Sequence, residues 1–139
     1  GSLAALKAGP RRHAVTLVSP WSEGAAAPYR HLPYKGRHGK FRLHIGPRPT
    51  PAQQVHVELL VADRKEPVEV RINGARCTWS GMVDPEHIKA SGWKGEGIEP
   101  RQQFRVPSEA LVPGYNLVEV QATEDITVNW VEISIPGLK

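Results

Sequence analysis

Apolar residues recur at every second position through much of the chain. Val55, Val57, Leu59 and Val61 share one parity, with His56, Glu58 and Leu60 between them. Phe41, Leu43 and Ile45 alternate with Arg42 and His44. Val68, Val70 and Ile72 alternate with Glu69, Arg71 and Asn73, and Val118, Val120 and Ala122 with Glu119 and Gln121. Successive strand side chains point to opposite faces, so each run predicts a strand with one buried and one wetter face. That pattern favours antiparallel sheets packed face to face. The last run changes phase: Ile126, Val128 and Trp130 share one parity, Val131, Ile133 and Ile135 the other. One extra residue restores the inward face, which predicts a β-bulge near Trp130. The alternative is that both faces are covered in the first half of that run.

Turn residues fall between these runs. Asn73-Gly74 predicts a tight hairpin, because both residues tolerate positive φ. Asp63 to Pro67 links two strands, Pro113-Gly114 precedes the strand from Leu117 to Ala122, and Thr123-Glu124-Asp125 is predicted to join the final two strands. Helical spacing is confined to short pieces at Pro107–Leu111 and Asp84–Ala90, where Asp84 suits a cap and Pro85 a first turn. Two stretches are not strand-like, Ser19 to Gly39 and Ser80 to Pro100. Loops of that length in a compact domain are usually functional or disordered, and function on β-scaffolds commonly sits on loops.

Composition agrees with a sheet protein. The 139 residues are 40% hydrophobic, with 13 glycines and 13 prolines, enough apolar side chains for one core and many turns. No run has the length of a membrane span and no signal peptide is recognisable. Gly1 and Ser2 read as the remnant of a cleaved purification tag. The expected organisation is a tag remnant and linker over 1–12, one β-sandwich domain over 13–136 and a tail at 137–139. The single cysteine, Cys77, excludes an internal disulfide and a cysteine-built metal cage. The net charge of +4 is unevenly spread: residues 1–48 hold nine cations and one acid, the remainder nine cations and 13 acids. The cations are scattered rather than blocked, so the chain is expected to bind neither nucleic acid nor membrane, and the charge reads as surface solvation.

The segment Phe104-Arg-Val-Pro-Ser-Glu-Ala-Leu-Val-Pro-Gly-Tyr-Asn-Leu-Val-Glu-Val resembles the stretch near the end of galactose-binding-like jelly rolls, in which Val-Pro is followed by Leu and then Pro-Gly-x-Asn. Val68 to Trp79, with its Asn-Gly turn, resembles an earlier hairpin of such domains, and WVEISI resembles their closing strand. The likeness covers about the last half of the chain. The residues are physically coherent beside it: Pro107 ends a strand, Pro113-Gly114 reverses the chain and Asn116 can bond local backbone. The resemblance implies an all-β antiparallel β-sandwich of jelly-roll type. It also implies an accessory module of a glycoside hydrolase or related polysaccharide-degrading enzyme, from a secreted or periplasmic parent. Related sandwiches often hold a structural calcium ion, for which Asp84, Glu86, Glu96, Glu99, Glu124 and Asp125 would be the oxygen donors. No cofactor is required by any motif.

Sugar sites need flat apolar rings for C–H faces and polar groups for hydroxyls. Trp93, held between Gly92 and Gly95 with Glu96 nearby, is the leading candidate, against the alternative of a ring folded back over the core. Trp21, Tyr29, Arg30, His31 and Tyr34 form a second polar–aromatic group, against the alternative that Pro28 and Pro33 fix an edge segment on which the tyrosines pack. Trp79 and Trp130 read as core or sheet-face residues. Arg30, Lys35 and Arg37 could pair with a uronate or sulfate. The six histidines show no paired ligand spacing, although His44 and His56 lie at polar parity and could neighbour each other across a sheet. No nucleophile elbow, Cys–His arrangement or phosphate-cradling loop is present. The expectation is therefore a non-catalytic module that binds polysaccharide or oligosaccharide through loop aromatics beside the catalytic domain of its parent chain. The alternative is a structural domain bracing that catalytic domain with no ligand of its own.

Overall fold

The structure, a computed structural model, describes residues 12–15, 32–84, 92, 94 and 99–136, with 12–15 and 136 as backbone. Eight strands follow in order: β1 (Arg12–Val15), β2 (Tyr34–His44), β3 (His56–Val61), β4 (Glu69–Ile72), β5 (Ala75–Arg76), β6 (Thr78–Val83), β7 (Arg101–Arg105) and β8 (Tyr115–Pro136). The only helical element among the described residues is a 3-10 turn at Ser108–Ala110, within the predicted Pro107–Leu111 piece. The predicted piece at Asp84–Ala90 lies, beyond Asp84, outside the described residues.

All pairings are antiparallel and join the eight strands into one sheet. The sequence suggested two separate sheets; instead one near-barrel sheet folds over on itself about β8. One edge of β8 carries β2 and then β1. The other edge carries β4 along residues 118–121 and β3 along 128–134. Two lobes therefore leave β8 on the same side, β4–β5 from its first half and β3–β7–β6 from its second.

Thr123-Glu124-Asp125 does not reverse the chain. β2 runs beside both halves of β8, pairing Gly36 with Ile126 and His38 with Gln121. β8 takes five residue steps where β2 takes two, so 122–125 swell out as a bulge that bends one continuous strand. The predicted bulge near Trp130 is present: Leu60 pairs with Trp130 but Val61 with Val128, leaving Asn129 as the extra residue. It turns Trp130 outward and returns Val131, Ile133 and Ile135 to the core.

The inward parities read from the sequence form the core. Phe41, Leu43, Val57, Leu59, Val70, Ile72, Val118, Val120, Val128, Val131 and Ile133 are buried in one cluster with Phe104 and Leu111. Each such side chain contributes about 1.5–3 kcal/mol relative to exposure. Tyr34 joins this core: its ring meets Phe41 edge-on at 5.9 Å and its hydroxyl accepts the His38 amide at 3.1 Å. Gly39 permits that packing, because a Cβ there would lie 2.9 Å from the Phe41 ring. The Asn73-Gly74 hairpin forms as expected, with φ of 50° and 87°. Asn73 also anchors it, donating to Ala110 O and Asn116 Oδ1, both at 2.7 Å, and accepting Leu117 N at 2.9 Å. Asn116 bonds local backbone as expected, at Val112 and Gly114.

The expectation of one wet face per strand fails in the second lobe. Glu58, Arg101, Glu132 and Ser134 are buried although they lie opposite the apolar face. Arg101 Nη1 donates to Glu132 Oε1 at 2.7 Å across the intervening β3, with both side chains fully buried. Trp130 Nε1 donates to the same oxygen at 3.0 Å, and the Arg101 guanidinium lies 5.0 Å from the Trp130 ring centre. Gln103 Nε2 donates to Glu58 Oε2 at 3.0 Å. A polar network in hydrogen-bonded pairs thus takes the place of solvent.

Candidate functional site

The two lobes approach each other again where the chain entering β4 meets β7 and where β5 runs on into β6. Here the sheet is not continuously laddered. The chain crosses between lobes at Cys77, whose amide donates to Val70 O at 2.9 Å. Gln102 of β7 reaches over from the other lobe: its Oε1 accepts Val68 N at 3.1 Å and its Nε2 donates to Glu66 O at 2.8 Å. These contacts hold a seam, and along it lies a cleft of about 460 Å³ lined by Pro67 to Val70, Arg76, Cys77, Thr78, Trp79 and Phe104.

Trp79 forms the aromatic surface of this cleft. It pairs in register with Phe104, the two rings meeting at 5.4 Å and 64°. Phe104 is buried, but Trp79 remains 38% exposed because β6 is an edge strand. Above it stand charged groups from β4 and β5. Glu69 Oε2 takes Arg71 Nε at 3.1 Å, while Arg76 Nη2 reaches only 3.9 Å from Glu69 Oε1, with its side chain 70% exposed. Thr78 adds a hydroxyl. Burial raises the Cys77 thiol to about 12, so it stays protonated and is neither a nucleophile nor a thiolate ligand. The cleft therefore offers a ring face, a hydroxyl, a carboxylate and a guanidinium.

A second cleft of about 640 Å³ lies beside the β3–β4 loop, lined by Leu60 to Glu66, Met82, Glu99, Pro100 and Asn129. It has no aromatic ring. No group of three or more His, Cys, Asp or Glu among the described residues has an arrangement that could hold a metal ion. Of the carboxylates considered for calcium, Glu124 pairs with Arg64 at 3.0 Å and Asp125 with Arg37 at 3.1 Å, on separate partners. Glu86 and Glu96 lie outside the described residues.

The sugar-site residues suggested by sequence are placed as follows. Trp93, Trp21, Tyr29, Arg30, His31 and Glu96 lie outside the described residues. Tyr34 is a core residue, its ring enclosed by Phe41 and Gly39 rather than offered to a ligand. Lys35 is exposed on β2, and Arg37 there is engaged by Asp125, on strand pairs remote from the seam in the sheet order. His44 and His56 do not meet: His44 pairs with Tyr115 and stacks edge-on to it at 5.0 Å, whereas His56 pairs with Arg105 and Ser134.

Of the two readings of Trp79, core or sheet face, the structure gives the second: the ring packs on Phe104 and stays partly exposed. The signal for it was present: Thr78, Ser80 and Gly81 around it give β6 no apolar alternation, so the strand has no buried face to contribute. Arg76 and Glu69 had no local signal; only the crossing at Cys77 brings them together. No family model matches this chain, and no curated protein matches its sequence. No helix among the described residues is long and apolar enough to cross a membrane.

Proposed function

We propose that this chain is a non-catalytic carbohydrate-binding module of the galactose-binding-like jelly-roll type, an accessory to a larger polysaccharide-degrading enzyme, and that it binds glycan in the seam cleft. The half-exposed Trp79 ring carries this reading. It stands in a concave site beside Thr78, Glu69 and Arg76, which supply donors and acceptors for ring hydroxyls while the indole takes a C–H face. The sequence likeness of Phe104 to Val120 and of the Asn73-Gly74 hairpin supports the same assignment.

The test is a polysaccharide panel by affinity electrophoresis, followed by calorimetry on whichever glycan retards the protein. Trp79→Ala should fold, with unchanged far-ultraviolet circular dichroism, and lose at least about tenfold in affinity, since stacking aromatics dominate such contacts. Retardation by no glycan sinks the reading and leaves a bracing role beside a catalytic domain. Retardation that Trp79→Ala leaves unaltered puts the site elsewhere.

A further inference from the structure

The cleft carries an imbalance of charge that bears on the kind of glycan it takes. Two guanidinium groups approach the one lining carboxylate, Glu69: Arg76 from the lining and Arg71 from outside it. Arg71 is committed, with Nε 3.1 Å from Glu69 Oε2 and Nη1 3.4 Å from the Gly74 carbonyl. Arg76 is not: its 3.9 Å approach to Glu69 is too long for a hydrogen bond. Its side chain is 70% exposed at the rim of the same cleft as Trp79. A guanidinium presents a planar fork of donors that matches a carboxylate with two parallel hydrogen bonds. Arg76 and Trp79 line this cleft from either side of the Cys77 crossing, three positions apart in the chain and so up to roughly 10 Å from Cα to Cα. A ligand engaging both is therefore an oligosaccharide rather than a single ring.

We infer that the seam cleft is selective for acidic glycans, with a uronate carboxylate held by Arg76 while a neighbouring sugar ring stacks on Trp79. This rests on the proposed carbohydrate-binding reading and narrows its ligand class. Arg71 makes the assignment consistent, because it neutralises Glu69 and so removes the repulsion an incoming carboxylate would otherwise meet. Neutral glycans would still stack on Trp79 but offer the Arg76 fork single hydroxyls in place of a matching carboxylate.

The experiment compares oligogalacturonate, oligomannuronate and oligoglucuronate, each against its own carboxyl-reduced neutral counterpart, by calorimetry on the whole chain. At least one uronate oligomer should bind about tenfold more tightly than its reduced form, the scale of a charge-assisted hydrogen bond. Arg76→Gln should remove that preference, lowering affinity for the uronate oligomer much more than for its reduced form, and Arg76→Lys should restore only part of it. Rising salt should weaken the acidic ligand selectively. Equal affinity for acidic and reduced oligomers, or a preference that survives Arg76→Gln, overturns the inference while leaving carbohydrate binding at Trp79 intact. Failure of every oligomer to bind overturns the inference, and retardation by some other glycan of the panel would still leave carbohydrate binding standing.

Discussion

The folded sheet meets itself along two lines, and they are built differently. Along the spine, β2 and β8 ladder together from Tyr34↔Val128 to His44↔Tyr115, with backbone bonds on both sides of the bulge. Along the seam, the chain entering β4 is held to β7 by one side chain, Gln102, and the β5–β6 crossing is held to β4 by one backbone bond at Cys77. On the spine, any residue with a compatible face supports the ladder. At the seam, particular side chains replace the ladder, and the space they leave open is the cleft. The teaching is that the candidate site exists because the barrel does not close.

The largest effect should come from the tie between the two lines. Arg101 of β7 and Glu132 of β8 form a fully buried pair. Glu132→Ala leaves a buried, uncompensated guanidinium and should cost about 3–5 kcal/mol in urea denaturation. The double variant Arg101→Met, Glu132→Leu should recover most of that loss, since well-packed apolar groups often replace such a pair without cost. A double variant as unstable as the single one would mean that the pair positions β7 and does not merely neutralise itself.

Next to it, Gln102 points the opposite way, into the seam. Gln102→Leu strands the Val68 amide and should cost about 1–3 kcal/mol. Amide hydrogen exchange should then accelerate at Val68 and Cys77 while the β2–β8 amides stay protected. Uniform acceleration would show that seam and spine open as one unit.

Seam and spine also differ in pH response. The Cys77 thiol is raised by burial from 9.0 to about 12. Between those values the unfolded chain loses this proton and the folded chain keeps it. The contribution to stability is therefore full below about pH 9 and is lost as pH rises through that window. Cys77→Ala should show a shallower alkaline fall than the parent chain, and Cys77 should resist alkylation at pH 8 until denaturant is added. The smallest effect belongs to the spine surface. Arg37 and Asp125 are 66% and 78% exposed, and Arg37→Ala should change stability by less than about 1 kcal/mol.

The same two lines divide what the sequence made legible. Core positions on the second half of β2 and on β3, β4 and β8 were readable, because period-two alternation is imposed by the pleat itself. The bulge at Asn129 was readable because it leaves a phase change behind it. The bulge at 122–125 was not. Thr123-Glu124-Asp125 is polar and turn-like in either role, and what makes it a bulge is the partner strand β2 running past both sides. The buried polar face was misread for a related reason: Glu58 and Glu132 sit at wet parity, and their burial is supported by Arg101 and Gln103 of β7 and by Trp130 of β8 itself. Trp79 was passed over in favour of a loop tryptophan because isolation among glycines is a local signal, whereas the cleft is made by a chain crossing.

The placement of β8 has a consequence for how the molecule is made. It follows every other strand in the chain, yet β1, β2, β3 and β4 all pair with it. During synthesis those strands emerge with their shared partner still missing, so loop-closure entropy is incurred over long separations before the central pairings can form. Such topologies fold slowly, and their early chains expose unpaired edges. A ribosome-bound chain ending before Tyr115 should remain protease-sensitive, and protection should arrive in one late step as β8 threads between strands that have been waiting for it.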